Sequence, residues 1–160
     1  MSKFDFDAKN LMNAYNKAKE NTYDNTPLPA GNYIVKVEKI ELGATAKAPV
    51  RPMGKIQFRI VEGEHKKKCL FMNQVLIGND KNTGELTAYG LKIFDDFLNS
   101  LEPTFTVSFN DIKPTKDQDE FDIYADILLD VAEDIEKLEY EIELKYDGEY
   151  PRYKVVDVFE

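Results

Sequence analysis

Tyr140-Glu141-Ile142-Glu143-Leu144-Lys145-Tyr146 alternates apolar and charged side chains and runs straight into Asp147-Gly148. A period of two is the spacing of a strand with one buried face, and Asp-Gly favours a tight reversal because both residues tolerate positive φ. The run Tyr153 to Phe159 beyond it reads as the returning strand, which makes this end of the chain a hairpin. An isolated hairpin is marginal in water, so further strands must lie beside it.

Those strands are upstream. Tyr33, Val35 and Val37 alternate with Ile34, Lys36 and Glu38, giving a first strand from Asn32 to near Gly43. Residues Ala44 to Gly54 hold Pro49, Pro52 and several small residues and read as a long loop. Ile56, Phe58 and Ile60 then alternate with Lys55, Gln57 and Arg59 as a second strand, and the turn Glu62-Gly63-Glu64 leads to a third, Lys67 to Leu76. Alternation is blurred in that third strand, so periodicity leaves open whether Leu70 or Phe71 points outward.

Helical spacing fills the gaps. Leu11, Tyr15 and Ala18 share one face of a first helix, Asp7 to Glu20, expected to cap the sheet. The segment Asn21 to Ala30, with Pro27 and Pro29, ends it. After a polar excursion from Gly78 to Gly84, Thr87 is the expected N-cap of a helix to Leu101, with Leu91, Phe94, Leu98 and Leu101 inward and Pro103 as its terminator. Phe105, Val107 and Phe109 alternate briefly, as either a short strand or a packed loop would. A third helix, Asp119 to Glu136, carries the stripe Phe121, Tyr124, Leu128, Val131 and Ile135 behind acids that suit the positive end of the helix dipole.

The order helix, three strands, two helices, two strands predicts an α+β, mainly β fold: a five-stranded OB-like barrel with a helical insertion between its third and fourth strands and an N-terminal helix. Residues 1–27 are read as N-terminal helix and linker and 28–160 as one OB-like domain; no internal repeat or low-complexity tract divides them.

Composition narrows the function classes. Ten Phe and nine Tyr serve a core first, but flat rings also stack on unpaired bases. No run of about 18 apolar residues occurs, and the charged amphipathic N-terminus is unlike a signal peptide, so neither membrane insertion nor secretion is expected. The single cysteine, Cys69, fits a reduced thiol in a reducing cytoplasm, and one Cys with one His (His65) cannot assemble a soft-ligand zinc site. No cofactor is expected. P-loop, nucleophile-elbow and GxGxxG patterns are missing, and Asp117, Asp119, Glu120, Asp122 and Asp126 cluster at a helix start instead of converging from separate elements as a two-metal site requires. A non-enzymatic role is the expectation.

The formal charge of −9 opposes phosphate binding, yet it is unevenly spread. Lys47, Arg51, Lys55, Arg59, Lys66, Lys67 and Lys68 are set against only Glu62 and Glu64 between Ala44 and Lys68, whereas Asp117 to Glu143 carries twelve acids and one Lys. In an OB-like barrel the second and third strands and the loops joining strands 1–2 and 4–5 form the oligonucleotide surface. The basic block falls there. Lys47 and Arg51 lie in the first of those loops, Lys55 and Arg59 on the second strand, Lys66, Lys67 and Lys68 at the start of the third, and Tyr150 and Arg152 beside the last loop. Phe71, Tyr150 and Tyr153 are the candidate stacking rings. Phe71, set among Leu70, Met72 and Val75, reads first as core; a lysine run at a strand end also discourages edge aggregation without any ligand.

Ordered blocks carry a family likeness. Leu28-Pro29-Ala30-Gly31-Asn32-Tyr33-Ile34-Val35-Lys36-Val37-Glu38-Lys39-Ile40-Glu41-Leu42 is followed by Pro52-Met53, Phe58-Arg59-Ile60-Val61-Glu62-Gly63-Glu64, Leu70-Phe71-Met72-Asn73-Gln74-Val75-Leu76 and Tyr124-Ala125-Asp126-Ile127-Leu128-Leu129-Asp130-Val131-Ala132-Glu133. Leu138-Glu139-Tyr140-Glu141 and Val158-Phe159-Glu160 complete the set. Together they resemble the single-strand-DNA-binding proteins of phages of Gram-positive bacteria, a family long catalogued as a domain of unknown function. Ala44 to Arg51 and Lys113 to Glu120 depart from that pattern. The resemblance implies an OB fold and single-stranded DNA binding with little sequence preference in phage replication or recombination, among phage or host replication and recombination proteins as partners. Barrel edges and the N-terminal helix offer a route to a homo-oligomer. The competing reading is an acidic protein-interaction module, an inhibitor whose negative segment mimics nucleic acid toward a host protein.

Overall fold

The computed structural model describes residues 7–22, 27–102 and 106–160. Its elements are α1 (Ala8–Thr22), β1 (Gly31–Ala44), β2 (Pro52–Ile60), β3 (Cys69–Val75), a short hairpin of β4 (Gly78–Asn79) and β5 (Leu86–Thr87), α2 (Tyr89–Leu101), α3 (Glu120–Asp134), β6 (Glu139–Asp147) and β7 (Tyr150–Phe159). This is a mixed α/β fold around a five-stranded antiparallel sheet of order β3-β2-β1-β6-β7.

Alternation buries one face of that sheet. Val35, Val37 and Ile40 of β1, Ile56, Phe58 and Ile60 of β2 and Tyr140, Ile142 and Leu144 of β6 point into a core completed by Leu91, Phe94, Leu98 and Leu101 of α2 and Tyr124, Leu128 and Val131 of α3, with Ile135 just beyond. A register shift between Val37 and Lys39 flips the parity of β1, so Lys39 and Glu41 join the outward face while Ile40 stays inside. Gly54 stands where the Phe94 ring crosses β2, and a Cβ there would lie 2.6 Å from the ring. α3 begins with a reciprocal cap: Asp119 accepts from the Asp122 amide at 2.9 Å, and the Asp119 amide donates back to the Asp122 carboxylate.

Several expectations change. The sheet is not closed into a barrel: among the described residues no ladder joins β3 to β7. Side chains span that seam instead. α2 packs on both edge strands, the Tyr153 ring tilts against Phe58, and the Tyr153 hydroxyl donates to the Phe71 carbonyl at 3.1 Å. α1 does not cap the sheet, since Leu11, Met12 and Tyr15 are about half or more exposed. Thr87 is not an N-cap; it pairs with Gly78 in the short hairpin, and α2 starts after Ala88 without a side-chain cap. Of the two readings of the Phe105 to Phe109 stretch, its described part takes the packed loop: Val107 is buried and Phe109 opens a 3-10 turn; Phe105, Pro103 and the middle of the Asn21 to Ala30 segment lie outside the described residues. No described helix is long and apolar enough to cross a membrane.

Candidate nucleic-acid interface

β3 settles the question that periodicity left open. Leu70 is buried and Phe71 is 54% exposed, because β3 pairs with β2 in a register that puts Phe58 opposite Leu70 and Gln57 opposite Phe71. The core reading of Phe71 is therefore overturned. Phe71, Asn73 and Val75 share the outward face of an edge strand.

Across the seam, the outward residues of β7 at its start are Tyr150 and Arg152. Both belong to the strand itself, paired with Asp147 and Lys145, because β7 begins at Tyr150 and not at the expected Tyr153. Phe71, Asn73, Val75, Ile93, Tyr150 and Arg152 line a groove of about 450 Å³ between the two edges. Tyr150, 71% exposed, leaves its ring to solvent at the rim. The floor is Tyr153, whose burial and hydrogen bond to β3 make it a brace, not a stacking platform; burial pushes its phenol up to about 12.

A second pocket of about 220 Å³ adjoins the groove, with Phe71 and Asn73 as shared walls. Lys39, Glu41, Lys55 and Gln57, outward residues of the two neighbouring strands, and Ile56 complete it. The register lays them in rows: Glu41 beside Lys55 beside Asn73, and Lys39 beside Gln57 beside Phe71.

The remaining basic residues are distributed along this surface. At one end of β3, Leu76 donates to the Pro52 carbonyl and Met53 pairs with Val75, which brings the base of the β1–β2 loop to the groove's end. Arg51 there bonds the Asn79 side chain, and Lys47 is exposed further out on the loop. At the other end, Lys66, Lys67 and Lys68 lie exposed in the turn that closes β2 onto β3, outside both pockets. Lys67 takes a left-handed backbone at φ 80°. Between these ends β3 spans roughly 20 Å.

Arg59 is engaged by its neighbours on the sheet. Its guanidinium forks onto the Glu38 carboxylate and also donates to the Lys67 carbonyl at 2.7 Å, so most of its donors are committed. The same contact holds the Glu38 carboxyl below its ordinary range. Sequence gave no sign of this pair, which depends on the β1–β2 register. It also missed Lys39, Glu41, Gln57 and Asn73; the three-residue step from Val37 to Ile40 was the available hint that β1 changes face.

The acids of α3 stand elsewhere. α3 packs on β1, and Asp122, Asp126 and Asp130 are exposed with Leu129 beside them. Among the described residues no three His, Cys, Asp or Glu side chains converge as a metal-ligand set.

A family model described as "Protein of unknown function (DUF669)" matches residues 14–119, which takes in β1 to β3 and α2 but stops before α3 and the β6–β7 hairpin. No curated protein and no solved structure matches the chain.

Proposed function

The chain belongs to that family of unknown function, and from this starting point we propose that it is a non-enzymatic single-stranded-DNA-binding protein with little overall sequence preference, serving phage replication or recombination in the bacterial host cytoplasm. One observation carries the reading. Two outward aromatic rings, Phe71 from one edge strand and Tyr150 from the other, line a groove with Arg152, and its ends are approached by Arg51 and Lys47 on one side and Lys66 to Lys68 on the other. Rings offer a stacking face to any base, and cations spaced along the same line follow the phosphates.

The strand order β3-β2-β1-β6-β7, with β7 leaning toward β3, supports treating the sheet as an OB-like barrel whose last seam is closed by side chains. The likeness to phage single-strand-DNA-binding proteins points the same way. The net charge of −9 does not oppose it, since the residues that line the groove include Arg152 and no acid, and six of the acids are on α3, which packs on β1.

A titration of fluorescein-labelled oligo-dT by anisotropy tests the reading. Binding at low salt that weakens steeply as salt rises is expected; no binding even at low salt sinks it. A second reading has its own observation: the exposed row Asp122, Asp126 and Asp130 around Leu129 is a surface that a basic host protein would fit. Capture of such a protein, lost on neutralising those three acids, together with silence in the DNA titration, would favour the interaction module.

A further inference from the structure

The pocket beside Phe71 has a chemistry that a sequence-blind strand coat does not need. Its three-strand row runs carboxylate, ammonium, carboxamide: Glu41 on β1, Lys55 on β2, Asn73 on β3. Neighbouring strands are about 4.8 Å apart, so long side chains in one row can converge on a single planar ligand. The volume, about 220 Å³, suits one heterocycle and not a stack of several.

We propose that this pocket reads one guanine base within an otherwise sequence-tolerant site, an inference that rests on the single-stranded-DNA reading above. Guanine presents two adjacent N–H donors, on N1 and the 2-amino group, followed by the O6 and N7 acceptors. A carboxylate takes the paired donors, an ammonium donates to O6, and a carboxamide donates to N7; the row offers these partners in that order. Cytosine and adenine each offer a single donor position on their pairing edge, and thymine places its donor between two acceptors, so none satisfies both oxygens of Glu41 and the Lys55 ammonium together. Phe71 supplies the stacking face that holds the base over the row, and Gln57 lies next to it across β2. Lys39 touches Glu41 at 3.2 Å, but each carboxylate oxygen can accept more than one hydrogen bond, and both side chains are well exposed to solvent, so the contact can rearrange.

The test uses labelled oligo-dT of about fifteen nucleotides in which one central base is replaced by guanine, adenine, cytosine or hypoxanthine. Guanine is expected to tighten binding about tenfold over the other three natural bases. Hypoxanthine, which lacks the 2-amino group, should lose most of that gain. In Glu41→Gln the guanine-to-thymine affinity ratio should fall toward one, while Glu143→Gln, on the outward face of β6 and remote from the pocket, keeps it. Circular dichroism checks that both variants fold. Equal affinity for all central bases, with salt-sensitive oligo-dT binding intact, overturns the guanine pocket and leaves the parent reading standing. A guanine preference that survives in Glu41→Gln overturns it as well. Failure of every oligonucleotide to bind removes both.

Discussion

The phenol of Tyr153 on β7 donates to the main-chain carbonyl of Phe71 on β3 at 3.1 Å, and so ties together two edge strands that share no ladder. The same hydrogen bond that fastens the seam fixes the strand from which Phe71 projects outward. Tyr153 shapes the candidate interface from beneath, whereas Phe71, Tyr150 and Arg152 present it.

That division predicts unequal effects on DNA. Phe71→Ala and Tyr150→Ala should each weaken oligo-dT binding by about 1–3 kcal/mol with little change in urea midpoint, since both rings are largely exposed. Arg152→Ala should also weaken binding and flatten its salt dependence by about one phosphate contact. Arg59→Ala should do neither, and should cost less than about 1 kcal/mol of stability because its pair with Glu38 is exposed. Anisotropy titrations over a salt series separate the two arginines; an Arg59 effect as large as that of Arg152 contradicts the assignment.

Close approach of α2 to the sheet predicts a graded response at two glycines. A Cβ on Gly90 would lie 1.8 Å from the Val75 carbonyl oxygen, a main-chain atom that cannot move alone. At Gly54 the obstacle is the Phe94 ring, 2.6 Å away. Gly54→Ala should destabilise by about 1–3 kcal/mol, and Gly90→Ala by more, with lower oligo-dT affinity because pushing α2 away shifts Ile93 and widens the groove. Chemical denaturation and the DNA titration report the two effects.

Asp95 is buried on α2 and accepts from the Tyr124 hydroxyl of α3 and from the Phe109 amide at 3.0 Å. Burial, reinforced by Asp95, raises the Tyr124 phenol well above its usual range. Tyr124→Phe removes one donor from a buried carboxylate and should cost about 1–3 kcal/mol in urea denaturation. Asp95→Asn replaces one of the two accepting oxygens with an NH2 donor, but the Tyr124 hydroxyl can turn to accept from it while the remaining oxygen keeps the Phe109 amide, so it should cost less; the reverse ranking would refute the hydrogen-bond account.

Alkaline pH should loosen the seam. The folded Tyr153 phenol titrates near 12 against an ordinary value of 10.0, so the native state holds its proton more tightly than the unfolded chain. Its contribution to stability is complete below pH 10 and is lost as pH rises toward 12. Buried Tyr124 and Tyr140 shift the same way and add to the slope. Urea midpoints of wild type and Tyr153→Phe, compared across that window, should show a shallower decline in the variant.

Much of this protein was legible in its sequence because secondary structure is announced locally. Period-two runs at Tyr33 to Val37, Lys55 to Ile60 and Tyr140 to Tyr146, the Asp147-Gly148 reversal and the stripe from Tyr124 to Ile135 each need only neighbouring residues to be read, and each is present. Tertiary structure alone decided what the outward residues meet. Phe71 and Tyr153 are 82 residues apart, and Arg59 finds Glu38 21 residues away. A bulge of one residue in β1 turned Lys39 and Glu41 to the same side as Phe71. Alternation fixes that a side chain leaves the core but not which neighbour it reaches, because register and sheet curvature follow from packing of the whole core and not from any one segment.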